Sequence, residues 1–377
     1  MKYGTEELHE VLQSEGLVNP KNFEPAYATA LKNPKIRELL EIEQPEITNL
    51  TETLHVENGG SVHAVRMDLN KGVDNHKKDI VAGLILRGVM KGRIPRSEID
   101  TLIDGGNYNS ASALKYYSKK FGMRGAYVMS RLFPQYVIDL LEGDDFQVIR
   151  APRKYDHARE REFYEYLFEL LKNPEFRKNK HCLWHAKYSG KAMYPLGREI
   201  AESLRIVPDY IVSCLGAGST LEGLQLAIQD HFVESGSRKP RIIVAEHELS
   251  PLFANFITYR RSAGPPPQVR THVKRTDPES YLKHPELPHI VIGPHYDEIN
   301  PLLSKDVIAR IDEVIQYSEE DWMSMQKFLE AYRISVGNSS AANLAVATNL
   351  ANLGSKVVTV LFEPFRDFYK SSVPVVS

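Results

Sequence analysis

The sequence predicts an α/β protein of two lobes with mostly parallel sheets covered by helices, and three observations carry that expectation. From about Lys78 onward, helical patterns alternate with short apolar runs, the order that builds βα units. At 377 residues the chain is long enough for about two domains of ordinary size. Two glycine turns, IDGGNYNSASALKYY at 103–117 and GAGSTLEG at 216–223, each join a strand-like run to a helix-like one.

The elements follow in order. KDIVAGLILRGVMKG reads as a helix, IDTLID as a strand, NSASALKYYSKKFG as a helix, GAYVMS as a strand, PQYVIDLLEG as a helix and FQVIRAP as a strand. The long charged amphipathic segment HAREREFYEYLFELLKN leads into the strand-like HCLWHA. A second series has helix YPLGREIAESL, strand DYIVSCL, helix STLEGLQLAIQDHF and strand RIIVAEH. A loop rich in Pro, Arg and His then spans 260–289 and breaks the alternation. Strand HIVIG, helices EEDWMSMQKFLEAYR and SSAANLAVATNLANLG, and strand KVVTVLF complete the chain. The expected division is a larger domain from 1–82 and 186–377, with a smaller α/β domain of 83–185 inserted in it.

Acidic and basic residues nearly cancel, at a formal charge of -2, so overall charge recruits neither nucleic acid nor an anionic membrane. Small-molecule partners are expected. The N-terminus has no apolar signal-peptide core and no segment approaches a membrane span, so a cytoplasmic protein is expected. Cys182 and Cys214 sit in apolar runs without CxxC spacing, which argues against a disulfide framework or a metal site.

Four stretches could carry chemistry. In GAGST, Gly216, Ala217 and Gly218 permit a sharp turn, and Ser219 and Thr220 add hydroxyls at a helix start; backbone N–H groups and hydroxyls there suit a phosphate. Leu221 stands where a dinucleotide fingerprint wants glycine, which disfavours a nicotinamide cofactor. Lys77 and Lys78 open an apolar helix, where desolvation favours Schiff-base chemistry. Asn107 follows Gly105 and Gly106 and can cap its own helix or donate to a ligand oxygen. Ser339 and Ser340 begin a helix of small residues.

In order and spacing, these stretches resemble the fold type II pyridoxal-phosphate enzymes, the cysteine synthase, cystathionine β-synthase and tryptophan synthase β family. HKKD at 76–79 resembles the family's Ser-x-Lys-Asp motif, which makes Lys78 the Schiff-base candidate with Lys77 as the alternative. GGNYN matches the SGNTG turn and places Asn107 at the cofactor's phenolic oxygen. GAGST matches the phosphate loop GTGGT, and GNSSAA matches GISSGA, with Ser339, or failing it Ser340, at the pyridine nitrogen. PLGREI, VAEHELSP and the C-terminal KVVTVLFEPFRDFYKS extend the likeness.

The resemblance implies pyridoxal 5'-phosphate, a homodimer and no metal. A neutral serine beside the ring nitrogen favours prompt loss of a β-substituent, hence β-replacement or β-elimination on a serine- or cysteine-derived amino acid. The alternatives are a serine/threonine dehydratase-like deaminase and a catalytically silent relative that acts as a binding or regulatory subunit.

The chain departs from the family pattern in the Asn turn. Asp104, Gly105, Gly106, Tyr108, Asn109 and Ser110 stand where relatives present hydroxyls to the substrate carboxylate, so substrate choice is expected to reside there. Asp104 is expected to cap the strand end or meet a substrate ammonium. A basic run, Arg177, Lys178, Lys180, His181, His185, Lys187 and Lys191, reads as a solvated rim or as an entrance for an anionic substrate.

Overall fold

The computed structural model describes residues 4–94, 99–130, 133–152, 161–248, 253–254, 270–271, 303 and 305–366. The HIVIG run lies outside the described residues, as does the 260–289 loop apart from Arg270 and Thr271.

Three helices open the chain: α1 (Gly4–Ser14), α2 (Phe23–Lys32) and α3 (Pro34–Leu40). The antiparallel pair β1 (Glu46–Asn49) and β2 (Ser61–Arg66) precedes α4 (Lys77–Met90). Next come β3 (Thr101–Gly105), α5 (Tyr108–Lys120), β4 (Arg124–Met129), α6 (Gln135–Leu141) and β5 (Phe146–Arg150). Helices α7 (Arg161–Lys172) and α8 (Pro174–Arg177), strand β6 (Lys180–Cys182) and helix α9 (His185–Ser203) follow. The second series holds β7 (Tyr210–Cys214), a π-helical turn (Leu221–Gln225), α10 (Leu226–Glu234), β8 (Arg241–His247), β9 (Arg270–Thr271), α11 (Lys305–Ala309) and β10 (Glu313–Tyr317). Helices α12 (Glu319–Ala331) and α13 (Asn338–Ala351) and strand β11 (Lys356–Leu361) end the described fold.

The chain divides into two compact units. The first comprises Met1–Glu43, Lys71–Val73 and Lys77–Pro195, and is built on a four-stranded sheet in the order β5-β4-β3-β6, all parallel. The second comprises Gln44–Asn70, Asp74–His76 and Leu196–Ser377, with a seven-stranded sheet in the order β1-β2-β11-β7-β8-β10-β9, parallel except for β1. The two mostly parallel sheets covered by helices are the expected α/β class. The strands are short apolar runs because both faces of a parallel sheet are covered.

The first unit takes in residues 1–43, 71–73, 77–82 and 186–195, which the sequence groups with the larger domain. Packing explains the assignment. All of α4 is buried, as its nearly continuous apolar sequence requires. Arg87 on α4 binds Glu24 on α2 through two hydrogen bonds of 2.8 and 2.9 Å. That bidentate contact holds the Glu24 carboxyl below its usual range against the opposing effect of burial. Tyr27 and Tyr117 add backbone hydrogen bonds to Ala192 and Leu40, at 2.8 and 2.5 Å.

Two elements depart from the sequence pattern. HCLWHA forms a strand only over β6, because Trp184 adopts a left-handed φ of 58° and the helix begins at His185, well before the expected YPLGREI start. Pro195 then lies inside α9. β10 was not anticipated: EVIQY pairs with β8 and buries four of its five residues, Glu313 among them.

Candidate functional site

In each unit several candidate side chains follow the C-terminal end of a parallel strand, where open α/β sheets place ligands. In the first unit the centre is the turn after β3. Gly106 has φ of +149°, and a Cβ there would stand 2.7 Å from the Tyr127 hydroxyl, so only glycine fits. Asn107 caps α5: its Oδ1 accepts from Ser110 N at 3.3 Å and faces Ser110 Oγ at 3.1 Å. The Tyr127 hydroxyl donates to Ser110 Oγ at 2.6 Å. With Oδ1 committed to its own helix, the half-buried Asn107 presents its Nδ2 as a donor. Tyr108 is half-buried and Asn109 buried, while Ser112 Oγ donates to Asn109 O at 2.9 Å.

The two lysines diverge, as neighbours on a helix separated by about 100° must. Lys77 is 7 % exposed and its Nζ lies 3.0 Å from His185 Nε2. Lys78, 1 % exposed, points its Nζ to within 4.0 Å of Glu41 Oε2, an oxygen that also accepts from the Tyr116 hydroxyl, while Lys120 binds Glu41 Oε1. Burial raises the Glu41 pKa, yet these cationic and hydroxyl partners outweigh it and hold the carboxyl below its usual range.

Asp104 is buried at the end of β3. Its Oδ1 accepts from Gly105 N and its Oδ2 from His185 N, both at 2.9 Å, so it binds the first backbone N–H of α9 as well as its own strand end. Desolvation pushes the carboxyl up to about 7, against the two backbone N–H groups and the nearby charge of Lys77. Burial, and then Asp104, push the Cys182 thiol well above its ordinary range, so it stays protonated. Of the basic run, Arg177, Lys178, Lys187 and Lys191 are exposed, and Lys180 lies 4.5 Å above the Phe176 ring. Only His185 is turned fully inward.

In the second unit, β7 ends at Cys214 and Gly218 turns the chain with φ of +89°. A Cβ on Gly218 would meet Leu303 Cδ1 at 2.6 Å. Ser219 and Thr220 start the helix, no side chain caps the π-helical turn, and Glu222 N makes the first helical bond to Gly218 O. Its first N–H groups are therefore available to an anion.

Across the same sheet end, Asn343 on α13 accepts from Cys214 N at 2.6 Å and donates to Val360 O at 2.9 Å, tying β7 to β11. Ser340 Oγ accepts from Phe362 N at 2.8 Å and is spent on structure. Ser339 is 6 % exposed, and among the described residues its hydroxyl has no hydrogen-bond partner. The Cys214 thiol, 3.8 Å from the Tyr317 hydroxyl, is pushed up to about 12 by burial, which makes it a poor nucleophile.

Sequence reading did not single out Tyr127 or Asn343, and it met His185 only as one member of a basic run. The residues fit pyridoxal phosphate by their donor set. A buried amine and an amide donor stand in the first unit, and an uncapped helix start with two hydroxyls in the second. Among the described residues there is no cluster of His, Cys, Asp and Glu that could hold a metal. No described helix is long and apolar enough to cross a membrane.

The fold is shared with solved structures. That of O-ureido-L-serine synthase is 17% identical, covers 90% of this chain and 96% of its own, and superposes with a TM-score of 0.63. O-acetyl serine sulfhydrylase isoform 3 from Entamoeba histolytica is 15% identical, covering 90% and 92%, with a TM-score of 0.62. O-acetylserine dependent cystathionine β-synthase from Helicobacter pylori is 18% identical, covering 89% and 97%, with a TM-score of 0.60. At these identities the likeness establishes the fold alone. No curated protein matches the sequence. A family profile described as "Pyridoxal-phosphate dependent enzyme" spans residues 47–363, and the chain therefore belongs to the pyridoxal-phosphate dependent enzyme family, with fold type II architecture.

Proposed function

We propose that the protein binds pyridoxal phosphate through Lys77 and catalyses β-replacement or β-elimination on a serine- or cysteine-derived amino acid. The observation that carries this reading is the buried Lys77 amine, 3.0 Å from His185 Nε2 and close to Asp104 at the C-terminal end of β3. Lys78, the first choice from the motif, is engaged by Glu41 instead, so the alternative lysine has the better geometry.

In this reading Asn107 Nδ2 would donate to the cofactor's phenolic oxygen. The backbone of Gly216, Ala217 and Gly218 and the hydroxyls of Ser219 and Thr220 would hold its phosphate, and Ser339 would serve the ring nitrogen. Pyridoxal phosphate supplies the electron sink for the pair released when Cα loses its proton. Lys77, as a free amine, would be the base that takes that proton. The reactions named for the similar structures, O-ureido-L-serine synthesis and O-acetylserine sulfhydrylation, belong to those proteins and support chemistry at Cβ here. A homodimer completes the reading, as the family resemblance implies.

Absorption and peptide mapping test it. The purified protein loaded with pyridoxal phosphate should show a visible band, and borohydride reduction should leave the adduct on Lys77. An adduct on Lys78 would reverse the lysine assignment. Absence of both band and adduct would leave a catalytically silent member of the family. Product analysis with and without an added thiol then separates replacement, which consumes the thiol, from elimination, which releases a keto acid and ammonia.

A further inference from the structure

His185 is the one member of the basic run that the fold buries completely, at 4 % exposure, and it is aimed with some insistence. Trp184, just before it, holds a left-handed φ of 58°, a conformation that costs a non-glycine residue of order 1 kcal/mol and is retained where surrounding structure demands it. Asp104 Oδ2 fixes the His185 backbone N–H at 2.9 Å. The consequence is the 3.0 Å contact between His185 Nε2 and Lys77 Nζ. Two nitrogen bases at that distance share a proton, and in a buried site bulk water does not compete for it.

We propose that His185 is the proton donor to the departing β-substituent, recharged by Lys77, which fits the site to a hydroxyl leaving group. This inference rests on the reading of Lys77 just given. Lys77 takes the proton from Cα, and the pair left behind forms the Cα=Cβ bond as the Cβ–O bond breaks onto oxygen. The Nε2–H bond of the His185 imidazolium breaks as a new O–H bond forms, and water leaves. The proton gained by Lys77 then crosses the 3.0 Å contact, restoring the neutral amine and the imidazolium.

The chemistry explains why a second proton carrier matters. Hydroxide is a poor leaving group and needs a general acid, whereas acetate departs unaided. Two groups hold His185 in place: Asp104 Oδ2 accepts its backbone N–H at 2.9 Å, and Lys77 Nζ lies 3.0 Å from its Nε2.

The test uses the loaded enzyme with serine and O-acetylserine, and compares wild type with His185→Gln. The substitution keeps a hydrogen-bonding side chain but removes the titratable nitrogen. Expected are a loss of about 100-fold or more in kcat on serine against less than about ten-fold on O-acetylserine, with KM changed little. The pH midpoint of the visible band should also move by at least about 0.5 unit, a readout independent of turnover. Equal losses on both substrates, or an unmoved midpoint, overturn the proposal. If His185→Gln fails to fold, wild type alone decides: serine and O-acetylserine reacting at comparable kcat supports a protonated leaving group, and a large advantage for the ester overturns it. Failure of the underlying reading shows separately, as the absence of a visible band and of an adduct on Lys77.

Discussion

The turns after β3 and β7 look alike in sequence, each a strand end, two glycines, small polar residues and a helix, yet they finish in opposite hydrogen-bonding states. The first closes on itself. Asn107 Oδ1, Ser110 and Tyr127 satisfy the start of α5 from within. The second has no side-chain cap at Thr220, and its first helical hydrogen bond runs from Glu222 N to Gly218 O, ahead of which stand the N–H groups of Ser219 and Thr220. A self-capped turn presents one oriented amide, and an uncapped one presents a set of donors. In the proposed reading, the same motif would give a single hydrogen bond to a ligand in one unit and an anion cradle in the other.

The comparison breaks most severely at Gly218. Gly218→Val combines a strained φ with a collision against Leu303, so a stability loss of about 3 kcal/mol is expected in denaturant melts. Affinity for pyridoxal phosphate, read by fluorescence titration, should fall with it. Asn107 separates cap from donor: Asn107→Ala should cost about 1 kcal/mol in the same melts. Asn107→Asp keeps the capping oxygen and should lose little stability, yet shift the visible band because the donor is gone. If Asp behaves as Ala does in both measurements, the oriented amide has no role beyond capping.

Asp104 extends the comparison to the start of α9. Its carboxyl is raised from an unfolded value of 3.8 to about 7, so the folded state holds this proton more tightly. Its stabilising contribution is fully present below about pH 4 and is lost as pH rises towards 7. Urea melts between pH 5 and 8 should therefore show a flatter pH dependence in Asp104→Asn than in wild type. An unchanged slope would remove the raised carboxyl from the account. The smallest effect expected is that of Tyr127→Phe, about 1 kcal/mol or less, from loss of the hydrogen bond that backs Ser110.

Much of this was legible in the sequence because periodicity encodes strands and helices, and glycine with small polar residues encodes turns. The series from α4 to β5 appears in the expected order, and the motif spacing was enough to name the family. Side-chain direction is not legible in the same way: a sequence does not reveal which of two adjacent helical side chains will find Glu41 and which His185, and the motif's order of Lys78 before Lys77 is decided by mapping the reduced adduct. β10 was hidden because Glu313 reads as a polar interruption, although it is buried and bound by Arg241 at 3.1 Å. The motif ranks Ser339 before Ser340, and Phe362 N donating to the Ser340 hydroxyl adds a physical reason for that order.

Trp184 has a consequence for how the chain can vary. A helix advances about 100° per residue, so the single left-handed residue before α9 sets the angular phase of everything that follows. One residue inserted between β6 and α9 would swing the imidazole through that angle and leave a different side chain opposite Lys77. Changes of length elsewhere in the connections would not alter this phase. The link from Leu183 to His185 acts as the indexing tooth of the helix, and its length is a stricter constraint on this chain than the identity of the bulky ring that occupies it.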